Sequence, residues 1–318
     1  MKKILAIALA VLMLASLTAC GESAGSDTYT VGVCQLLTHP ALDAATQGFK
    51  DALVAELGEG AVTFKDADAG GEYNNCATIV DGFVAENVDM ILANATAPLQ
   101  AAASATSDIP ILGTSVTDYA TALNIADWTG TVGNNISGTS DLAPLDEQAA
   151  MVQELFPDAQ NVGLLYCSAE PNSVYQVDMV QGYLEALGYE CQQFGFADVN
   201  ELASVTQSAC DYADVLYVPT DNTCATYTET IANVVLAAKV PVICGEANTC
   251  AGCGVATLSI DYYDLGYATG KMAAKILKGE ADIATMPVEF APQVTKMYNA
   301  ANCEALGVTI PEGYEPIN

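Results

Sequence analysis

The side chains that could do chemistry are numerous but of one kind. The only histidine is His39, set between Thr38 and Pro40. A Ser-His-Asp relay would have to be built on it. No strand-like run leads into a Gly-x-Ser-x-Gly elbow, a Walker glycine-lysine motif or a Gly-x-Gly-x-x-Gly fingerprint. With 39 acids in the chain, paired carboxylates carry no information. Cys250-Ala-Gly-Cys253 is the one close cysteine pair. A metal site would need further ligands, and neither a second histidine nor a second Cys-x-x-Cys supplies them. The pair reads as a local disulfide or as free thiols, and no cofactor is called for. What remains are clusters of hydroxyls, amides and acids: Thr38-His39, Val116-Thr117-Asp118, Ser168 to Ser173, and Thr220-Asp221-Asn222-Thr223.

These clusters matter only if the fold brings them together. Short β-rich runs occur at Tyr29–Cys34, Val62–Asp66, Val88–Ala93 and Ile109–Gly113. Between them lie helical patterns at Ala41–Leu57, Asn75–Glu86 and Ala97–Ala105, the first with Leu42, Ala45, Phe49, Leu53 and Leu57 on one face. Alternating strands and helices predict a parallel sheet covered on both sides. The pattern then restarts. Val162-Gly163-Leu164 echoes Val31-Gly32-Val33, and Lys239-Val240-Pro241-Val242-Ile243 echoes Asp108-Ile109-Pro110-Ile111-Leu112. Trp128 to Pro144, rich in Gly, Asn, Thr and Ser, reads as a bridge, and Leu265–Leu277 as a returning helix. The fold class is therefore α/β: two Rossmann-like lobes with parallel sheets, joined by a hinge of several crossovers. The first lobe is expected at 29–138 plus 262–288, the second at 139–261 plus 289–318.

Ligands of parallel α/β sheets bind beyond the carboxyl ends of the strands. The residues there are Gln35, Thr38, His39, Thr96, Thr117 and Asp118 in the first lobe. In the second they are Ser168, Glu170, Asn172, Ser173, Thr220, Asp221, Asn222 and Glu246. The bridge adds Asp141, and the last crossover adds Asp261 and Tyr262. No Lys or Arg is among them, so an anion lacks a cationic clamp. A zwitterion fits better. Its ammonium could meet Asp118, Asp221 or Asp261, and its carboxylate a helix N-terminus near Ser168–Ser173 or Thr220–Thr223. For Asp221 and Ser173, helix capping is an equally good reading.

Charge narrows the partners. Nine lysines and no arginine face 39 acids, a net charge of −30. Nucleic acid is excluded and an anionic membrane surface disfavoured. Lys2 and Lys3 precede an apolar run, Ile4–Leu14, too short to span a bilayer, followed by Leu17-Thr18-Ala19-Cys20. Residues 1–20 read as a secretory signal whose Cys20 takes a lipid, and 21–28 as a tether. Past that point seven lysines face 39 acids, a balance of −32. Membrane contact would then be through the anchor alone, with the chain monomeric.

The plan and several strings resemble the type I solute-binding proteins of ABC importers, in particular the tryptophan/tyrosine-type substrate-binding lipoproteins. The strings are Thr38-His39-Pro40-Ala41-Leu42-Asp43, Ala95-Thr96-Ala97-Pro98-Leu99, Val116-Thr117-Asp118, Gly138-Thr139-Ser140-Asp141, Ser168-Ala169-Glu170-Pro171-Asn172-Ser173, Pro219-Thr220-Asp221-Asn222-Thr223 and Ile260-Asp261-Tyr262-Tyr263. Tyr119 after Asp118 and the cysteine-rich Cys244–Cys253 loop depart from the pattern. The resemblance implies the type I periplasmic-binding-protein fold. It also implies an extracytoplasmic receptor that delivers a small ligand, favouring an aromatic amino acid, to a permease driven by a separate ATPase. The alternatives are a sensory or adhesion lipoprotein of the same fold, a sugar, nucleoside or peptide as ligand, and an enzyme using His39.

Overall fold

A computed structural model describes residues 28–317; the expected signal, the Cys20 expected to take a lipid and nearly all of the expected tether lie outside them. The first sheet holds β1 (Tyr29–Gln35), β2 (Val62–Asp68), β3 (Met90–Asn94), β4 (Ile111–Val116), β5 (Ile136–Ser140) and β11 (Glu289–Phe290). Its order is β11-β5-β4-β3-β1-β2, all parallel. The second holds β6 (Asn161–Cys167), β7 (Glu190–Phe196), β8 (Val215–Val218), β9 (Val242–Cys244), β10 (Ala256–Ile260), β12 (Val294–Tyr298) and β13 (Glu315–Pro316). Its order is β13-β12-β10-β9-β8-β6-β7, parallel except where β12 runs against β10. The cores of both orders match strand for strand, as the repeated landmarks predict.

The central strands are buried on both faces, which is why they read as continuous apolar runs. Helices α1 (Pro40–Leu57), α2 (Tyr73–Ala85), α3 (Thr96–Ala105) and α4 (Tyr119–Leu123) follow the first four strands of their sheet. In the second lobe α5 (Leu145–Leu155), α6 (Pro171–Ala186), α7 (Leu202–Tyr212), α8 (Asn222–Thr226), α9 (Thr228–Ala238) and α10 (Ala247–Cys253) do the same work. Then α11 (Tyr262–Leu277) returns to the first lobe, and α12 (Ala300–Leu306) closes the second. The returning helix lies flush against α1. A Cβ on Gly266 would strike the Ala45 carbonyl, and one on Gly48 the Tyr263 carbonyl. Leu53, Phe49, Met272 and Ala273 fill the layer beneath.

Two expectations need correction. The bridge is not all linker: β5 runs through it, hydrogen-bonded between β4 and β11. Its Ile-Ser-Gly-Thr-Ser sequence lacks a strand pattern because contact with Tyr119, and not side-chain bulk, fills the space. A Cβ on Gly138 would collide with the Gly113 carbonyl and the Tyr119 hydroxyl. The lobe boundaries also move. Thr139 and Ser140 pair with Glu289 and Phe290 in the first sheet, two residues past the expected limits on both strands. The chain crosses between lobes three times, after β5, after β10 and after β11. All ten cysteines among the described residues are free thiols, including Cys250 and Cys253.

Candidate functional site

The carboxyl ends of both sheets face each other across one cleft. At its hinge end lies a cavity of about 10 Å³, room for about one water. Of the expected residues, His39, Thr117, Asp141, Asn172, Thr220, Asp221, Asn222, Glu246 and Tyr262 line it. Ala41, Leu42, Ser115 and Ala225 join them. Ala41 and Leu42 were not legible as site residues because their contribution is backbone. His39 is the N-cap of α1 and makes no side-chain cap. Ala41 and Leu42 thus line the cavity from the first turn of an 18-residue helix, its positive end, where backbone N–H groups have no intrahelical acceptor.

Three buried side-chain atoms at this cavity have no hydrogen-bond partner in the protein: His39 Nδ1, Ser115 Oγ and Asp141 Oδ1. Leaving such groups unpaired costs about 1–3 kcal/mol each. Ser115 is also held at φ 54°, and Ala95, at the end of the neighbouring β3, at φ 104°. Both are left-handed conformations that non-glycine residues avoid, the kind of strain that collects at ligand sites.

Asp141 follows β5 at the first crossover and is buried. Tyr262 Oη donates to its Oδ2 at 3.0 Å. Burial pushes the carboxyl up to about 6, while the Thr117 and Tyr262 hydroxyls pull it back. Of the acids lining this cavity, it is the one with an oxygen to offer. The acids of the second lobe are differently used. Asp221 accepts from Cys224 N and Cys167 N, both at 2.7 Å, and caps α8. Burial and then the Glu170 charge raise it. Glu170 accepts from Asn222 N at 3.0 Å, Asn222 Nδ2 at 2.7 Å, Thr223 N at 2.9 Å and Thr223 Oγ1 at 2.7 Å. Glu246 caps α10, accepting from Asn248 N and from both the N–H and the hydroxyl of Thr249.

Several expected residues lie elsewhere. Gln35 is occupied within its lobe: its Nε2 donates to Leu37 O and Asp43 Oδ1, and its Oε1 accepts from Thr46 Oγ1. Thr96 is buried in the first turn of α3. Asp118 caps α4 through Thr121 N, and Asp261 caps α11 through Asp264 N. Ser168 Oγ donates to Phe196 O. Ser173 is fully buried beside Asn172. Thr38 and Glu170 face a second, larger chamber farther out in the cleft.

The lobes meet at the cleft. His39 Nε2 and Asn222 Oδ1 are 3.3 Å apart, and Tyr73 Oη donates to Ala169 O at 3.4 Å. This is a closed arrangement.

Comparison with known proteins agrees with that geometry. A family model described as ABC transporter substrate binding protein matches residues 30–314. A Tyrosine-binding protein of Clostridioides difficile is 32% identical over 96% of this chain and 92% of its own length. An ABC domain from Streptococcus pneumoniae in complex with L-Trp superposes with a TM-score of 0.86 at 32% identity, covering 91% of this chain and all of that one. A ligand-free, open substrate binding protein with adhesive properties from Clostridium difficile gives 0.72 at 33% identity, covering 92% and 99%. Equal identity with unequal fit is what a hinge between closed and open forms produces. The chain belongs to the ABC transporter substrate binding protein family.

Proposed function

We propose that the protein captures an aromatic amino acid outside the cytoplasmic membrane and delivers it, in the closed form, to an ABC permease powered by a separate ATPase. One observation carries the choice of a zwitterion. The unpartnered Asp141 Oδ1 stands in one cavity with Ser115 Oγ and the free N–H groups at the start of α1. The acid suits an ammonium group, and the helix start suits a carboxylate. The relatives that bind tyrosine and L-Trp favour an aromatic side chain. His39 has a loop role and no turnover in this reading. Its Nε2 faces Asn222, and among the described residues no serine or cysteine hydrogen-bonds to it. Cys20 anchors the chain, as a monomer, through its lipid.

Isothermal titration of the purified protein with the twenty amino acids, sugars and nucleosides tests the reading. An aromatic amino acid should bind, and at 100 times its Kd should stabilise the fold by about 2.7 kcal/mol. Stabilisation by sugars alone would overturn the amino-acid reading and leave the family intact. The relative with adhesive properties favours one second reading, attachment to host surfaces. Cell binding that persists when the Asp141 site is disabled would support it.

A further inference from the structure

Cys34 lies near the carboxyl end of β1, and Cys76 at the first turn of α2. Helix α2 lays its buried stripe, Cys76, Val80 and Phe83, over this strand. Phe83 covers Gly32, where a Cβ would come within 2.6 Å of its ring. Two turns back along the helix and two residues on along the strand, Cys76 meets Cys34 in the same buried cluster. The two thiols hydrogen-bond to each other. Tyr73, one turn before Cys76, donates to the Ala169 carbonyl of the second lobe at 3.4 Å. The thiol pair and that contact between the lobes share the start of one helix.

We propose that Cys34 and Cys76 form a reversible disulfide by exchange with a small-molecule disulfide, that the open form reacts while the closed form is shielded, and that the bond pins the start of α2 for closure. Proteins of this family work outside the cytoplasm, where disulfides form and persist. Both thiols are fully buried, so exchange needs the first turn of α2 to lift from β1. That turn is lightly held. Its N-cap, Glu72, supplies no side-chain hydrogen bond, and the exposed Gly70-Gly71 pair ahead of it leaves the backbone free to turn. Lifting it carries Tyr73 away from Ala169, so the opening that exposes the thiols also breaks a contact of the closed form. The contact with Cys34 lowers the Cys76 thiol, and the helix start favours its thiolate. Cys76 Sγ therefore attacks one sulfur of the small disulfide, whose S–S bond breaks and releases one thiol. Cys34 Sγ then attacks the mixed disulfide at Cys76, and the second small thiol leaves. The cysteine pair is oxidised, the small disulfide is reduced, and the two cysteine protons pass to the two released thiols. The new bond holds α2 on β1 with Tyr73 placed to meet Ala169, which biases the hinge toward the closed form. None of this depends on which solute the cleft takes.

The test uses the reduced, purified protein and glutathione disulfide. Peptide mapping after alkylation should show Cys34 linked to Cys76 in a protein two hydrogens lighter, and a reductant should reverse the link. The linked form should melt at a higher temperature, because the bond closes a loop of the unfolded chain. Cys76→Ala should abolish that rise, and the wild-type map decides the pairing if this variant fails to fold. Tyr73→Phe removes the hydroxyl that reaches Ala169 and should speed oxidation by about threefold. Cys34 and Cys76 that both stay alkylatable, a link confined to Cys244, Cys250 and Cys253, or a glutathione adduct on Cys76 alone overturns the disulfide. An oxidation rate unchanged in Tyr73→Phe overturns its coupling to closure.

Discussion

The two walls of the cleft come from the same architecture and are finished in opposite ways. On the first-lobe wall, α1 begins without a side-chain cap, Ser115 and Ala95 sit at positive φ, and two buried polar atoms, His39 Nδ1 and Ser115 Oγ, lack partners. On the second-lobe wall, the starts of α8 and α10 are capped by Asp221, Glu170 and Glu246, and the carboxylates are occupied by backbone N–H groups. At the cavity, the first-lobe residues keep hydrogen-bonding capacity open, while the second-lobe acids have used theirs to stay folded. Strain and unpaired groups lower stability, and they are retained where a ligand compensates them. Asp141, at the crossover between the walls, shares the first wall's character.

The largest test of this contrast is Asp141→Asn. The shape is kept and the charge removed. Amino-acid affinity should fall by about 100-fold, as when one partner of a buried charge pair is deleted. Calorimetry reads the affinity. An unchanged Kd would move the ammonium elsewhere and erase the distinction between Asp141 and the capping acids.

Acidification probes the same residue with two signs. The folded Asp141 carboxyl titrates at about 6, above its ordinary value of 3.8. Between those values the folded state binds more proton than the unfolded state. Stability without ligand therefore rises as pH falls through this window. Binding of an ammonium group needs the carboxylate, so affinity should drop by about tenfold between pH 7 and pH 5. Melting curves and titrations at each pH check both signs. Parallel changes in stability and affinity would contradict the assignment.

Ser115→Ala is the next step down. It removes an unpartnered buried hydroxyl and leaves the backbone strain. The expected outcome is about tenfold weaker binding with unchanged or slightly higher stability. A loss of stability would mean that Ser115 belongs with the structural residues of the opposite wall.

Much of this molecule is legible in its sequence. The two-lobed plan, the returning α11 and most cleft-lining positions follow from strand ends and repeated landmarks. The rest is hidden for identifiable reasons. β5 is concealed because Tyr119 fills the space where a strand would show side chains. The roles of the acids are concealed because Asp221, Glu246 and Asp261 share one local pattern with ligand-binding acids, and only hydrogen-bond partners separate them from Asp141. The contribution of Ala41 and Leu42 is carried by N–H groups, which no residue type records.

Asp221→Ala inverts the expectation for a binding acid. Two buried N–H groups, of Cys167 and Cys224, lose their acceptor. Loss of a cap and of a buried acceptor should cost about 2 kcal/mol of stability. Affinity should change by less than about threefold, because neither oxygen is free for a ligand. Urea unfolding and calorimetry separate the two quantities. A tenfold affinity loss at full stability would return Asp221 to the ammonium site.

The smallest effect belongs to His39→Ala, and its direction is informative. The imidazole contributes one half of one contact between the lobes, at 3.3 Å to Asn222. A single hydrogen bond of this kind is worth about 1 kcal/mol, so the closed form should lose population by about fivefold at most. That loss appears as a faster dissociation rate in stopped-flow measurements, since closure and not encounter holds the ligand. The residue also carries an unpartnered Nδ1 on the open wall. If Nδ1 touches the ligand, the same substitution weakens association as well, and Asn222→Ala does not reproduce it. Equal effects from the two substitutions would confine His39 to the contact between the lobes and leave Ser115, Asp141 and the start of α1 as the binding wall.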